Sequence, residues 1–478
     1  MRLLELILVV LAIAVFLWFV VSKTKKQKMI VIGLAALYIV AVLHVMVEGP
    51  RWQMAFAYLV PFLLTIGMLF RKQGRSQNRL LRWGGYGLAA VYGLVMVATP
   101  LLLPVFSFEK PTGKYPVGTE TFYLKDENRE DAPTIAGGRE LMVQVWYPSE
   151  SQQGKRAPYT KDVGPITEGL EQALSIPAWV LSHLRYVDTY ATEGSQVSEK
   201  ADTYPVIVFS HGMTGFRNQN TFQVEELASH GYIVVGIDHA FDAAATVYPD
   251  GRSVLLSENQ LTGFEQLDAH MNIWVKDISF VLDELEKWNR SGTDGNFEGK
   301  LDLEKIGMFG HSYGGAAAAQ MLARDSRVKV ALNMDGTLYG SEPPANGFAK
   351  PYLQMNGEKS IDKAAFDAKL DQAVAQTGKS RASYEAFWDE SQTRRETALH
   401  GGGYTMTIPH TSHMSFTDFH LFSPLLENKG EQIEEVHHLI NDVSIAFFDE
   451  YLAGKATGLL QEQANKHPEV GLEAPFAP

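Results

Sequence analysis

The chain of 478 residues contains no cysteine, which excludes disulfides, a thiol nucleophile, an iron–sulfur cluster and a thiolate-held zinc. Acidic side chains are almost missing from the first 108 residues, where Glu5 and Glu48 stand against 11 Lys and Arg. The remaining 370 residues then hold 31 basic and 53 acidic side chains, a net charge of −22. A body that acidic repels phosphate backbones and disfavours a nucleic-acid partner. Internal repeats and low-complexity tracts are also lacking.

What the N-terminal region does have is long apolar runs. Residues 3–21, 29–47, 54–70 and 83–106 are each long enough to cross a bilayer core as a helix, so residues 1–108 are expected to be a four-span membrane domain. The first run has neither a basic leader nor a small-residue cleavage site, and reads as retained rather than removed. Basic residues cluster in two loops, with Lys23, Lys25, Lys26 and Lys28 before the second run and Arg71, Lys72, Arg75, Arg79 and Arg82 before the fourth. The loop between the second and third runs offers only Arg51, offset by Glu48. The positive-inside rule makes the two basic loops cytoplasmic and puts residues 109–478 outside the cell membrane. His44, the one ionisable group well inside a run, is expected near the outer interface without a functional role.

Beyond a linker at 104–118, which reaches at most about 50 Å when extended, short β-rich runs alternate with helical stretches. The strands are expected at 141–147, 205–209, 233–237, 306–309, 328–334 and 352–355, with helices at 220–230, 270–288 and 315–324. That alternation predicts a mostly parallel α/β sheet with flanking helices. Two stretches, 167–184 and 361–399, look like additions to the sheet core. The first carries Ile176, Trp179 and Val180, which either pack on the sheet, cover a site or touch lipid.

The chemistry enters at Gly310-His311-Ser312-Tyr313-Gly314. A Gly-X-Ser-X-Gly match is weak by itself, but here the apolar strand Ile306-Gly307-Met308-Phe309 leads in and an Ala-rich helix leads out. Such a strand–turn–helix is the nucleophile elbow of α/β-hydrolases, whose strained turn lifts the serine clear of the sheet. A serine needs a base and a third group that orients the base, following it in the order Ser, acid, His. His413 is the preferred base and His410 its rival, both in the run from Ile408 to Phe416. For the acid, Asp335 ends one strand and Glu358 the next, and local reasoning leaves them nearly tied. Two backbone N–H groups are needed to hold an oxyanion. Tyr313 supplies one, and Met213, following the buried strand Val206-Ile207-Val208-Phe209 and the turn at Ser210-His211-Gly212, the other. His211 precedes the nucleophile and reads as an orienting or structural residue.

Five blocks carry a family resemblance: Phe209-Ser210-His211-Gly212-Met213-Thr214-Gly215-Phe216-Arg217, Ala228-Ser229-His230-Gly231-Tyr232, Gly310-His311-Ser312-Tyr313-Gly314-Gly315, Asn333-Met334-Asp335-Gly336, and Thr411 to Phe419. In this order they resemble the secreted platelet-activating factor acetylhydrolases over most of residues 110–455. The resemblance implies an α/β-hydrolase fold and a calcium-independent serine esterase that removes short or oxidised acyl groups from phospholipids. It assigns Ser312 as nucleophile, Asp335 as acid and His413 as base, with Met213 and Tyr313 lining the oxyanion hole, and so breaks the tie with Glu358. The expected substrate is a lipid or small ester. No metal or organic cofactor is called for, and no protein partner is legible. The animal enzymes lack the four-span domain and are shorter where 361–399 stands. Two alternatives remain: the same triad acting on soluble esters, polyester fragments or an acyl acceptor, and a membrane sensor whose hydrolase-like body only binds ligand.

Overall fold

The computed structural model describes residues 1–21, 27–69, 79–129, 137–257, 261–291 and 296–473. The chain divides into two units: Met1–Phe106 with Leu181–Val187 and Phe422–Leu425, and the remainder.

The first unit is built on four helices, α1 (Leu3–Val21), α2 (Gln27–Val47), α3 (Ala55–Leu69) and α4 (Arg79–Leu102). Among the described residues three helical stretches are long and apolar enough to cross a membrane, Leu3–Val20, Lys28–Val47 and Trp52–Leu69. The apolar part of α4, Tyr86–Leu102, is shorter than the expected fourth run at 83–106. Lys23, Lys25, Lys26, Arg71, Lys72 and Arg75, on which much of the loop-charge argument rests, lie outside the described residues, as does Phe70 at the end of the third run. His44 is fully buried. Its Nδ1 lies 2.8 Å from the Tyr58 hydroxyl, and its Nε2 lies 3.6 Å from Glu5 and 3.5 Å from Glu48. Arg51 grips Glu5 through Nε and Nη2, both at 2.7 Å, and Arg2 adds a third contact at 2.8 Å. A buried carboxylate needs such pairing, so the polar exception in the first apolar run is the anchor of an ion network. Glu5, His44 and Glu48 are also the one group of possible metal ligands among the described residues, but the two guanidiniums already engage Glu5.

The second unit is a ten-stranded mixed sheet. In chain order its strands are β1 (Val117–Asp126), β2 (Arg139–Pro148), β3 (Arg156–Pro158), β4 (Asp188–Glu193), β5 (Tyr204–Ser210) and β6 (Ile233–Asp238). A small separate hairpin, β7 (Ala245–Val247) and β8 (Ser253–Leu255), precedes β9 (Leu301–His311), β10 (Val328–Met334), β11 (Tyr352–Gly357) and β12 (Tyr404–Ile408). The sheet order is β12-β11-β10-β9-β5-β6-β2-β1-β4-β3. The six strands from β12 to β6 run parallel, and β2 pairs antiparallel with both β6 and β1. Parallel strands are covered on both faces and so read as continuous apolar runs, as β6 (Ile-Val-Val-Gly-Ile-Asp, every residue buried) does.

The helices are α5 (Val163–Leu174), α6 (Thr221–Ser229), α7 (Gly263–Ser291), α8 (Tyr313–Arg324), α9 (Glu358–Ile361), α10 (Lys363–Thr377), α11 (Arg381–Leu399), α12 (Ile433–Tyr451) and α13 (Leu459–Lys466). One sheet face packs against α7 and α8 around Trp274, Ile278 and Met321, the other against α6 and α12 around Val224, Ile440 and Phe447. Helix α8 can sit against the sheet because four consecutive alanines, Ala316 to Ala319, keep it slim and favour the helix. The two additions are helical, as α5 with a 3-10 turn at Ala178–Tyr186 and as α9 to α11. In the first, Trp179 is exposed while Ile176 and Val180 are half-buried.

Glu225 of α6 sits inside this body and accepts hydrogen bonds from the backbone N–H of Tyr190 at 3.0 Å and of Ala191 at 2.6 Å. Burial outweighs those bonds and pushes its carboxyl up from 4.5 to about 7. A raised carboxyl favours the folded state fully below its unfolded value and loses that advantage as pH rises through 7, by roughly 3 kcal/mol. Melting temperature is therefore expected to fall between about pH 5 and pH 8 more steeply in the wild type than in Glu225→Gln. Equal slopes in the two proteins would remove Glu225 from the pH dependence.

Candidate active site

Strand β9 ends at His311 and α8 begins at Tyr313, so Ser312 alone makes the turn, at φ 55° and ψ −120°. A side chain at positive φ is strained and survives only where its surroundings fix it. Here the Ser312 N–H donates to the Met334 carbonyl at 2.9 Å. Two glycines make room: a Cβ on Gly310 would stand 2.3 Å from the Gly314 backbone, and one on Gly314 would stand 2.0 Å from the Ser210 carbonyl oxygen. Strand and helix therefore approach as the motif requires.

Three of the candidate residues meet at this turn. His413 Nε2 lies 2.8 Å from Ser312 Oγ and its Nδ1 lies 2.7 Å from Asp335 Oδ2. Asp335 follows β10 at φ 55°. Its Oδ1 also accepts from the Gly357 N–H at 2.9 Å and its Oδ2 from the Ser360 hydroxyl at 2.6 Å. Burial pushes its carboxyl up, but the hydrogen bond and charge of His413, the charge of Arg395 and the Ser360 hydroxyl together hold it below its ordinary value. Asp335 is buried, whereas the His413 side chain is 44% exposed, so the constellation opens to solvent at the imidazole. The two rivals stand apart from it, facing each other: Glu358 accepts from the His410 N–H at 2.8 Å, and both side chains are more than half exposed.

The loop after β5 lies beside the serine, with the Cβ position of Gly212 3.2 Å from Ser312 Cβ. The Gly212 carbonyl takes the His211 Nδ1–H at 2.6 Å and the Gly215 N–H at 2.8 Å. His211 must carry its proton on Nδ1, because Nε2 accepts the His239 N–H at 3.1 Å, and burial holds the ring neutral, down at about 3. Carbonyl and N–H of one trans peptide point in opposite directions. Fixing the Gly212 carbonyl therefore fixes the Met213 N–H. Among the described residues no protein group accepts the N–H of Met213 or of Tyr313.

Several supporting residues carry no signal in the sequence. Besides Ser360, His311 ties its Nε2–H to the His413 carbonyl at 2.8 Å and so anchors the backbone of the imidazole bearer. Beneath the Gly212 loop lies a second Ser–His–Asp set. Ser210 Oγ is 3.0 Å from His239 Nε2, and His239 Nδ1 is 2.9 Å from Asp277 Oδ2. All three are fully buried, and Asp277 is shared with Arg139 at 2.8 Å and with Arg129. The His239 ring stacks on Trp274 at 3.8 Å. These contacts join residues far apart in sequence, which is why local motifs do not reveal them.

Comparison with known proteins gives the family of the chain. Residues 104–276 and 291–458 match the family Platelet-activating factor acetylhydrolase, isoform II. The chain is 25% identical over 397 residues to a probable 1-alkyl-2-acetylglycerophosphocholine esterase of Arthroderma benhamiae, covering 76% of this chain and 93% of that one. It is 28% identical over 278 residues to the platelet-activating factor acetylhydrolase of Cavia porcellus, covering 52% of this chain and 58% of the relative. Among solved structures, a ferulic acid esterase from Streptomyces cinnamoneus aligns with a TM-score of 0.57 at 28% identity, over 77% of this chain and 99% of that one. The matched segments include Ser312, Asp335 and His413, and take in well over half of the chain. By fold, site and sequence, this chain belongs to the platelet-activating factor acetylhydrolase, isoform II, family and is a carboxylic ester hydrolase.

Proposed function

We propose that the chain is a membrane-anchored serine esterase that cleaves short or oxidised acyl groups from phospholipids or related esters through an acyl-serine intermediate. The observation that carries this reading is the unbroken chain Ser312 Oγ, His413 and Asp335 at a strained, accessible turn. His413 takes the hydroxyl proton as Ser312 attacks the ester carbonyl, then returns it to the departing alcohol. In the second half His413 activates water, which releases the acid and restores Ser312. Asp335, kept ionised by its partners, holds the imidazole with Nδ1 protonated. The Met213 and Tyr313 N–H groups receive the charge on the tetrahedral oxygen, and their fixed directions mean that they need no reorganisation as it develops. In this role His211 is a positioning residue, acting through the Gly212–Met213 peptide.

Turnover is expected to fall as the acyl chain lengthens and to be insensitive to chelators. Release from phospholipids with a graded series of sn-2 acyl lengths, with and without chelator, measures both. Equal or better rates on long-chain lipids would overturn the chain-length claim. The likeness to a ferulic acid esterase favours a second reading in which soluble esters are the substrates, and activity confined to such esters would establish it.

The anchor is proposed to be the four helices of the first unit, with residues 109–478 on the extracytoplasmic side, as the loop charges imply. Protease added to intact cells, after removal of any wall, is then expected to digest residues 109–478. Protection until the membrane is breached would put the esterase in the cytoplasm.

A further inference from the structure

The loop from β5 to α6 carries Met213 near its start and Gln219, which is buried, near its end. A carboxamide donates from one side and accepts on the other, and the neighbours of Gln219 decide which side faces where. Asn220 gives its Nδ2 hydrogens to the Phe416 carbonyl at 2.7 Å and to Gln223 at 3.3 Å. Its Oδ1 is therefore an acceptor, and Gln219 meets it with Nε2 at 3.1 Å. The Oε1 of Gln219 faces the other way and accepts the Gly212 N–H at 3.3 Å. Glycine at 215 leaves the space for this, since a Cβ there would stand 1.8 Å from that oxygen.

The second Nε2 hydrogen reaches His311 Nδ1 at 3.2 Å, in the ring next to the nucleophile. Burial holds His311 neutral, down at about 3, so the ring carries one proton. That proton is on Nε2, because Nε2 donates to the His413 carbonyl at 2.8 Å. The buried lone pair on Nδ1 then needs a donor, and Gln219 supplies it. The Gln219 backbone adds a further tie, its carbonyl accepting the Asp418 N–H at 2.8 Å downstream of His413. One side chain thus touches the oxyanion loop through Gly212, the nucleophile turn through His311 and, by way of that ring, the backbone of the base.

We propose that Gln219 is a positioning residue of the ester hydrolysis, holding the Met213 N–H and the His413 imidazole in one arrangement about Ser312. It acts on the first through the Gly212 backbone, whose carbonyl His211 grips from the other side, and on the second through the tautomer of His311. This role rests on the esterase reading of Ser312 and adds a coupling to it. Base and oxyanion donor are set by the same amide, so one substitution displaces both, and a displacement of about 1 Å at such groups costs roughly 10²-fold in rate.

The test uses the full-length protein in detergent or nanodiscs, with a soluble short-acyl ester as substrate and a trifluoromethyl ketone of the same acyl length, which adds to Ser312 as a tetrahedral analogue. Gln219→Met keeps the volume and removes every bond of the amide. It is expected to lower kcat roughly 10²-fold with KM little changed, and to raise the Ki of the ketone by a similar factor. Misfolding alone would reduce the amount of active protein and leave the Ki of the surviving fraction as in the wild type, so an unchanged Ki overturns the proposal. Gln219→Glu gives a second measurement should the Met variant fail to fold. Its carboxylate accepts from Gly212 but offers His311 Nδ1 no hydrogen until a proton bridges the two. The ratio of its kcat/KM to that of the wild type is therefore expected to rise severalfold as pH falls from about 8 to about 5. His413 and Asp335, which face His311, titrate in both proteins and cancel in the ratio. A ratio that stays flat overturns the proposal. A wild type that hydrolyses no ester, or a Ser312→Ala variant as active as the wild type, would sink the esterase reading and this role with it, whereas an active wild type whose ketone Ki ignores Gln219 sinks the positioning role alone.

Discussion

Replacing Ser312 by Ala is expected to reduce ester turnover by roughly 10⁴- to 10⁶-fold, and replacing His413 by Ala by a similar factor, because a nucleophile and its base act as a unit. Neither change should unfold the body. Ser312 Oγ meets His413 at 2.8 Å, and His413 is partly exposed at the mouth of the site. Steady-state rates and a melting curve on each variant test both halves of the expectation. His410→Ala serves as the contrast, since its side chain is 61% exposed and lies near Glu358 rather than Ser312. An inactive His410 variant together with an active His413 variant would overturn the assignment of the base.

The second large effect is expected at the acid. Asp335→Asn preserves shape but presents an amide where the imidazole needs an acceptor, and in the best-studied triad that exchange costs about 10⁴ in kcat. In this chain the carboxylate also accepts from the Gly357 N–H and the Ser360 hydroxyl, so the amide nitrogen would meet a donor whichever way it turned. Glu358→Gln is expected to be mild, because Glu358 opens α9 at the surface and its nearest partner is the backbone of His410. The ranking of the two variants in kcat decides the point, and the reverse order would move the acid to the end of β11.

The two acids show where sequence reading stops. Both follow a parallel strand, and neither local composition nor spacing separates them. What separates them is the backbone: Asp335 takes a positive φ with its carboxylate on His413, while Glu358 enters a short helix. The central strands β5, β6, β9, β10 and β11 are legible because fully buried parallel strands must be apolar throughout. Strand β1 escapes notice because Thr119, Glu120, Thr121 and Lys125 interrupt its apolar residues, and α7 starts at Gly263 rather than at 270 because its first turns are polar. Ser312 is legible because an elbow is a local device. The supporting contacts are not, Ser360 and Gly357 on Asp335, His311 on His413 and His239 on His211, since each joins segments brought together only by the fold. Glu5 illustrates the same limit in the first unit, where its bond to Arg51 crosses 46 positions.

The second Ser–His–Asp set bears on how such sites are found at all. Among the described residues, a template that matches only residue types and interatomic distances would return both Ser312 with His413 and Asp335, and Ser210 with His239 and Asp277. The difference lies in access and in the competition for the acid. Ser210 is sealed from solvent, its hydroxyl caps a ring stacked on tryptophan, and its aspartate is neutralised by arginine. The molecule thus contains its own decoy, matched in chemistry and distance but closed to any reagent, so a serine-directed phosphonate probe should mark Ser312 and leave Ser210 untouched.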